Sequence, residues 1–91
     1  MALEVYWQEG SSKKQIGILK VDRGLSNLID KFNQTLGLSI DLYGTSRIYI
    51  SQLDWLIVLA ESVGYPTIEL VRIRSILPEV GTKGGLILIG D

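Results

Sequence analysis

What most constrains this chain is where its branched aliphatic residues fall. Two stretches are apolar on more than one side, and each needs cover from two directions. In a helix over Leu53–Val63 the inner stripe is Leu53, Leu56, Ile57 and Ala60, yet Trp55, Val58 and Leu59 lie off it. In Leu86-Ile87-Leu88-Ile89 every position is aliphatic, which for a strand means burial on both faces, or aggregation if left bare. Leu25, Leu28, Ile29, Phe32 and Leu36, by contrast, make one stripe at the helical period, with Ser26, Asn27, Asp30, Lys31, Asn33 and Gln34 opposite. Leu, Ile and Val together fill 32 of 91 positions. That excess is spread unevenly, so it argues less for an unusually large core than for surfaces that need covering.

The remaining pattern is of short strands and turns. Leu3, Val5 and Trp7 alternate with Glu4, Tyr6 and Gln8, a strand with one apolar face. After the turn Glu9–Lys13, Gln15–Val21 resumes as the second arm of an antiparallel hairpin. Its apolar phase slips between Ile18 and Leu19, which signals a bulge or two-sided burial. A helix is predicted over 24–36, entered at Asp22, where an acid suits the positive end of the dipole, and ended by Gly37. Leu38, Ile40 and Leu42 alternate as a strand, and after the turn Gly44-Thr45-Ser46 the pattern continues over Arg47–Ile50, as a second short hairpin or one strand with a sharp corner. Ser51-Gln52-Leu53-Asp54 matches a capping box, so a second helix is expected from Gln52 to Val63, stopped by Gly64 and Pro66. Thr67–Arg74 reads as a further strand, with Ile68 and Leu70 in one phase and Val71 and Ile73 in the other. The predicted class is therefore α+β, a mixed β-sheet with two helices. A chain of this length makes one domain over 1–91, with 2–74 as the core and 75–91 as a Gly-rich loop and an added terminal strand.

The order strand, strand, helix, strand, short strand, helix, strand resembles the β-grasp, or ubiquitin-like, fold. Within that group it is most similar to PB1-type interaction domains. The resemblance covers residues 2–74 and rests on the hairpin Leu3–Val21, the helix with Leu28, Ile29 and Phe32, and Ile48-Tyr49-Ile50-Ser51-Gln52-Leu53-Asp54 followed by Ile68-Glu69-Leu70. It implies protein–protein assembly without catalysis. The family's pairing of a first-strand lysine with an acidic cluster does not carry over. The first strand here offers Glu4, Tyr6 and Trp7, and the second hairpin offers Gly44-Thr45-Ser46-Arg47, with Asp41 and Asp54 the nearby acids. The competing topology is a ferredoxin-like or other α+β sandwich with both helices on one sheet face.

Composition narrows the chemistry. With no Cys there is no disulfide, thiolate metal site or thiol nucleophile, and with no His the commonest general base and metal ligand is gone. Nine basic against ten acidic residues give no electrostatic footprint for a phosphate backbone. The longest apolar runs, Leu56–Ala60 and Leu86–Ile89, fall far short of the ~20 residues a membrane-spanning helix needs. Met1-Ala2-Leu3-Glu4 shows no basic segment leading into an apolar one, so a cytoplasmic location is expected. Gly81-Thr82-Lys83-Gly84-Gly85 superficially suggests a phosphate loop, but a β-type run follows where that chemistry needs a helix. Asp22, Asp30, Asp41, Asp54 and Glu61 read as capping or solvated carboxylates rather than an acid–base pair.

The expectation is therefore a non-enzymatic assembly module with no cofactor or metal, whose partner is another protein or a second copy of itself. Its interface would be drawn from Trp7, Trp55, Val58, Leu59, Leu86, Ile87, Leu88 and Ile89, or from an exposed sheet edge. The alternative is a nucleic-acid-binding domain using Arg47, Arg72 and Arg74 with Tyr43 and Tyr49 as stacking platforms. A third reading is an accessory subunit of an enzyme, with a pocket near Tyr43, Tyr49 or Asp41.

Overall fold

Period-two alternation in the first twenty residues yields the expected hairpin. In the computed structural model, which describes residues 1–90, it consists of strands β1 (Ala2–Glu9) and β2 (Ser12–Lys20). Helix α1 (Arg23–Leu36), strand β3 (Thr45–Ile48), helix α2 (Ile50–Val63), helix α3 (Ile68–Ser75) and strand β4 (Gly85–Gly90) follow. The fold is α+β, and its four strands form one sheet in the order β2-β1-β4-β3 with every neighbouring pair antiparallel. The expected mixed sheet is thus fully antiparallel, and the expected two helices are three.

All three helices pack on one face of this sheet. Leu3 and Val5 of β1, Leu19 of β2, Ile48 of β3, and Leu86 and Leu88 of β4 share a core with Leu25, Leu28, Ile29 and Phe32 of α1. Ile50, Leu53, Leu56 and Ala60 of α2 and Leu70 and Ile73 of α3 complete it. Fully burying one such side chain contributes ~1.5–3 kcal/mol before the entropy of ordering is set against it. The alternate residues, among them Glu4, Tyr6, Thr45, Arg47, Ile87 and Ile89, occupy the opposite face.

The first helix forms as the pattern dictates. Asp22 is its N-cap, the carboxylate accepting from the Leu25 amide at 2.8 Å. Gly37 ends it in the left-handed region at φ 66°, where a Cβ would be strained. The hairpin carries a register shift opposite Val5 and Tyr6, with Ile16 the extra residue of β2. The bulge therefore lies nearer the turn than the apolar phase indicated.

Four local expectations are corrected. Thr67–Arg74 is not a strand: Ile68–Ser75 is helical, with Leu70 and Ile73, three apart, turned into the core. Its β-branched residues obey a helical stripe as well as an alternating one, and Glu69 in the first turn with Arg72 and Arg74 in the last suits the helix dipole. Leu38–Tyr43 is not a strand: it is irregular up to Asp41 and then turns at Leu42 and Tyr43. The Asn33 side chain takes the strand's part, its amide donating to the Ile40 carbonyl at 3.1 Å and its oxygen accepting from the Ile40 N–H at 3.0 Å. Helix α2 starts at Ile50, two residues early, because Gln52 rather than Asp54 closes the cap by accepting from the Tyr49 N–H at 2.8 Å. Finally, Leu86–Ile89 is no appendage to a core ending at 74. It lies in an interior strand, hydrogen-bonded to β1 on one side and β3 on the other.

Candidate interaction surface

The eight residues expected at an interface do not share one surface. Leu86 and Leu88 are core residues of β4 and unavailable to a partner. Ile87 faces the other way yet is also buried. Tyr6 and Arg47 stand directly across from it on the neighbouring strands, and side chains of that length lie over an aliphatic residue between them. Ile89 is half-buried on the same face, opposite Glu4 and Thr45. Trp7 is half-buried against the core, on the helix-covered face. The two-sided apolar demand of β4 is thus met inside the chain, by helices on one face and long side chains on the other.

Helix α2 keeps its demand open. Trp55 is 60% and Val58 55% exposed, although Leu53, Leu56 and Ala60 on the same helix are buried. Ser51, Trp55, Val58 and Ser62 fall within about 60° of one another at 3.6 residues per turn and form one outward ridge. A shallow hollow of about 140 Å³ runs along one flank, lined by Phe32, Thr35 and Leu36 of α1 and by Trp55, Val58, Leu59 and Ser62 of α2. A second hollow, bounded by Ser51, Asp54, Trp55 and Val58, lies along the ridge toward the start of the helix. None of the residues lining the first hollow carries a formal charge. Asp54, beside the ridge, is held by Arg74, whose Nε donates to Oδ1 at 2.7 Å. The Ser62 hydroxyl is turned onto the Leu59 carbonyl at 2.7 Å, which leaves the outer surface there less polar than the sequence suggests.

No family model, curated protein or solved structure matches this chain. The geometry therefore has to carry the functional reading.

The arginines of the nucleic-acid alternative do not converge. Arg47 lies on the sheet face away from the helices, next to Gly85. Arg74 is spent on Asp54 and on the Pro78 carbonyl at 3.4 Å, and Arg72 sits 3.6 Å from Glu69. Of the proposed stacking tyrosines, Tyr43 belongs to the loop after α1 and Tyr49 to the start of α2. On the open sheet face Tyr6 is engaged twice, donating to Glu4 at 2.8 Å while Lys13 Nζ stands 5.0 Å from its ring centre. That hydrogen bond, helped by desolvation and the charge of Glu4, raises the Tyr6 pKa above its ordinary value.

Three of the five carboxylates have structural partners. Asp22 caps α1, Asp54 meets Arg74, and Asp41 accepts from the Tyr43 amide at 2.8 Å in a tight turn. Tyr65 beside Gly24 is pushed above its ordinary pKa by burial and then by Asp22. The Gly-rich segment leads into β4, and with Tyr49, Ile50 and Ser51 it borders an open cleft of about 440 Å³. No helix among the described residues is long and apolar enough to cross a membrane.

Sequence reasoning missed the α1 wall of the hollow. Leu36 falls on the inner stripe of the sequence pattern, yet it is 37% exposed and forms the rim with Thr35. Its place in the last turn, beside Gly37, was the available signal, because a helix end reaches past the core it covers. Ile68 and Val71 of α3 are also exposed and adjoin one another three residues apart, with the Glu69–Arg72 pair along one side of them.

Proposed function

We propose that this chain is a non-catalytic protein-interaction module that uses the α2 ridge as its contact surface. The observation that supports this is the uncharged strip of Trp55 and Val58 beside the Leu36 hollow. Trp is among the residues most enriched in the energetic centres of interfaces, and a hollow beside it supplies the complementary shape. The rest of the exposed surface favours other routes less. Edge strand β2 carries Lys13, Lys14 and Lys20, and edge strand β3 is four residues long, both of them features that discourage strand addition. We assign the role to the cytoplasm, and the distribution of the tagged chain in fractionated cells tests that assignment.

A displayed library of short peptides, selected on the wild-type chain and counter-selected on Trp55→Asp, tests the module itself. The expected binders are apolar, compete with one another, and are lost on Trp55→Asp. Binding also shifts the emission of Trp55 to the blue in a Trp7→Phe background. Failure to obtain binders, or binders indifferent to Trp55, overturns the reading.

A further inference from the structure

Resting on that reading, we infer that the partner of the α2 ridge is a second copy of this chain, joined across a two-fold axis with the two α2 helices antiparallel. The ridge reads Ser51, Trp55, Val58, Ser62 at spacings of four, three and four. That sequence of characters, polar–apolar–apolar–polar, is the same in both directions. An isologous interface requires a surface complementary to its own reversal, and this ridge is one. With the axis between residues 56 and 57, Trp55 of each copy meets Val58 of the other, and Ser51 meets Ser62. Each Trp55 then stands next to the hollow that Phe32, Leu36 and Leu59 form in the facing copy.

Charge allows the pairing. The strip itself carries no charge and the adjacent Asp54 is paired with Arg74 at 2.7 Å; Glu61, on the same flank of α2 as Asp54, is exposed at the rim of the strip, where solvent screens it. A partner with a charged face would instead lose solvation there without gaining a counter-charge. Area sets the strength. Leu36, Trp55 and Val58 at 37%, 60% and 55% exposure offer on the order of 300 Å² of apolar side chain per copy, against ~800 Å² per partner in an interface of standard size. With on the order of 600 Å² in total, below the ~1,200–2,000 Å² of standard interfaces, the dimer is a weak one between folded monomers.

The absence of native cysteine makes the register directly testable. Ser51→Cys and Ser62→Cys chains are mixed and treated with a short bismaleimide. Across the proposed axis position 51 faces position 62, whereas 51 to 51 and 62 to 62 are each about 16 Å apart along the helix at ~1.5 Å per residue. The mixture should cross-link, each variant alone should not, and Val58→Asp in both chains should abolish the product while circular dichroism stays unchanged. Sedimentation velocity should show the wild type passing from monomer toward dimer between roughly 10 μM and 1 mM, with Val58→Asp monomeric throughout. A wild type that stays monomeric, a dimer indifferent to Val58→Asp, or equal cross-linking in the single-variant samples overturns this inference. If the peptide selection on the ridge still succeeds in that case, only the identity of the partner was wrong. If the selection fails as well, the module reading falls with it.

Discussion

Gly17 reports whether α3 lies where the structure puts it. It faces the core from β2, opposite Val5, and a Cβ built on it would sit 2.8 Å from Cγ1 and 2.9 Å from Cδ1 of Ile73. Relaxed carbon contacts are ~3.5–4.0 Å, and Ile73 is buried with no free side to move toward. Crowding by one methyl in such a place costs ~1–3 kcal/mol, offset by the ~0.5–1 kcal/mol that alanine gains over glycine through reduced backbone entropy. Gly17→Ala should therefore destabilise by about 1–2 kcal/mol. Ile73→Ala alone should cost ~2–5 kcal/mol, as for other large-to-small core changes. In that background the obstructing atoms are gone, and Gly17→Ala should turn stabilising by ~0.5 kcal/mol. The sign reversal corresponds to a coupling of about 1.5–2.5 kcal/mol between positions 56 residues apart in sequence. Urea titrations of the four chains, followed by circular dichroism, would give it from midpoint shifts at constant m-value. A total stability of ~5–13 kcal/mol for a domain of this length keeps the transitions measurable. The same cost for Gly17→Ala in both backgrounds would refute the docking of α3 over β2.

Asn33→Ala removes both bonds that hold Ile40. It should cost ~1–3 kcal/mol and accelerate hydrogen exchange at the Ile40 amide, with Asn33→Ser as a partial rescue; unchanged exchange would show that the loop holds itself. Glu4→Ala should bring the ionisation of Tyr6 down toward 10, read by NMR of the ring carbons. Because the folded pKa is raised, that pair contributes stability fully below the unfolded value and loses it as pH rises through the folded one, so alkaline unfolding of the variant should start from a smaller margin. Arg74→Met should cost no more than ~1 kcal/mol, since Asp54 and Arg74 remain partly exposed, and added salt should shrink the difference further; a larger, salt-independent loss would mean the pair is more deeply desolvated than its exposure indicates.

Much of the fold was legible where a single rule governed a segment. The hairpin followed from period two, and α1 from one apolar stripe with an acid before it and a glycine after it. The misreadings occurred where two rules agreed with the same residues. Ile68, Leu70, Val71 and Ile73 satisfy both periods, and the choice fell to the tertiary vacancy beside Gly17, which no local pattern reveals. Leu38, Ile40 and Leu42 do alternate between cover and solvent, but an asparagine seven residues away supplies the hydrogen bonds a strand would have made. Periodicity records which side chains are buried; it is silent on what the backbone pairs with.

The two stretches that were apolar all round looked alike as sequence and end in opposite situations. Sheet position decides the difference. A strand between two others has neighbours at a fixed spacing of ~4.8 Å, so Tyr6 and Arg47 stand on either side of Ile87, which is buried. A helix at the outer layer has no such neighbour on its far side, and beside the α2 ridge α1 contributes Phe32, Thr35 and Leu36 to one flank. Under the proposed function, cover for Trp55 and Val58 comes from outside the chain's own helices. Lengthening α2's cover from within would need another element, whereas a second α2 supplies a matching strip at no cost in chain length. The lysines of the β2 edge and the shortness of the β3 edge discourage strand addition, which agrees with the proposed helix-against-helix contact.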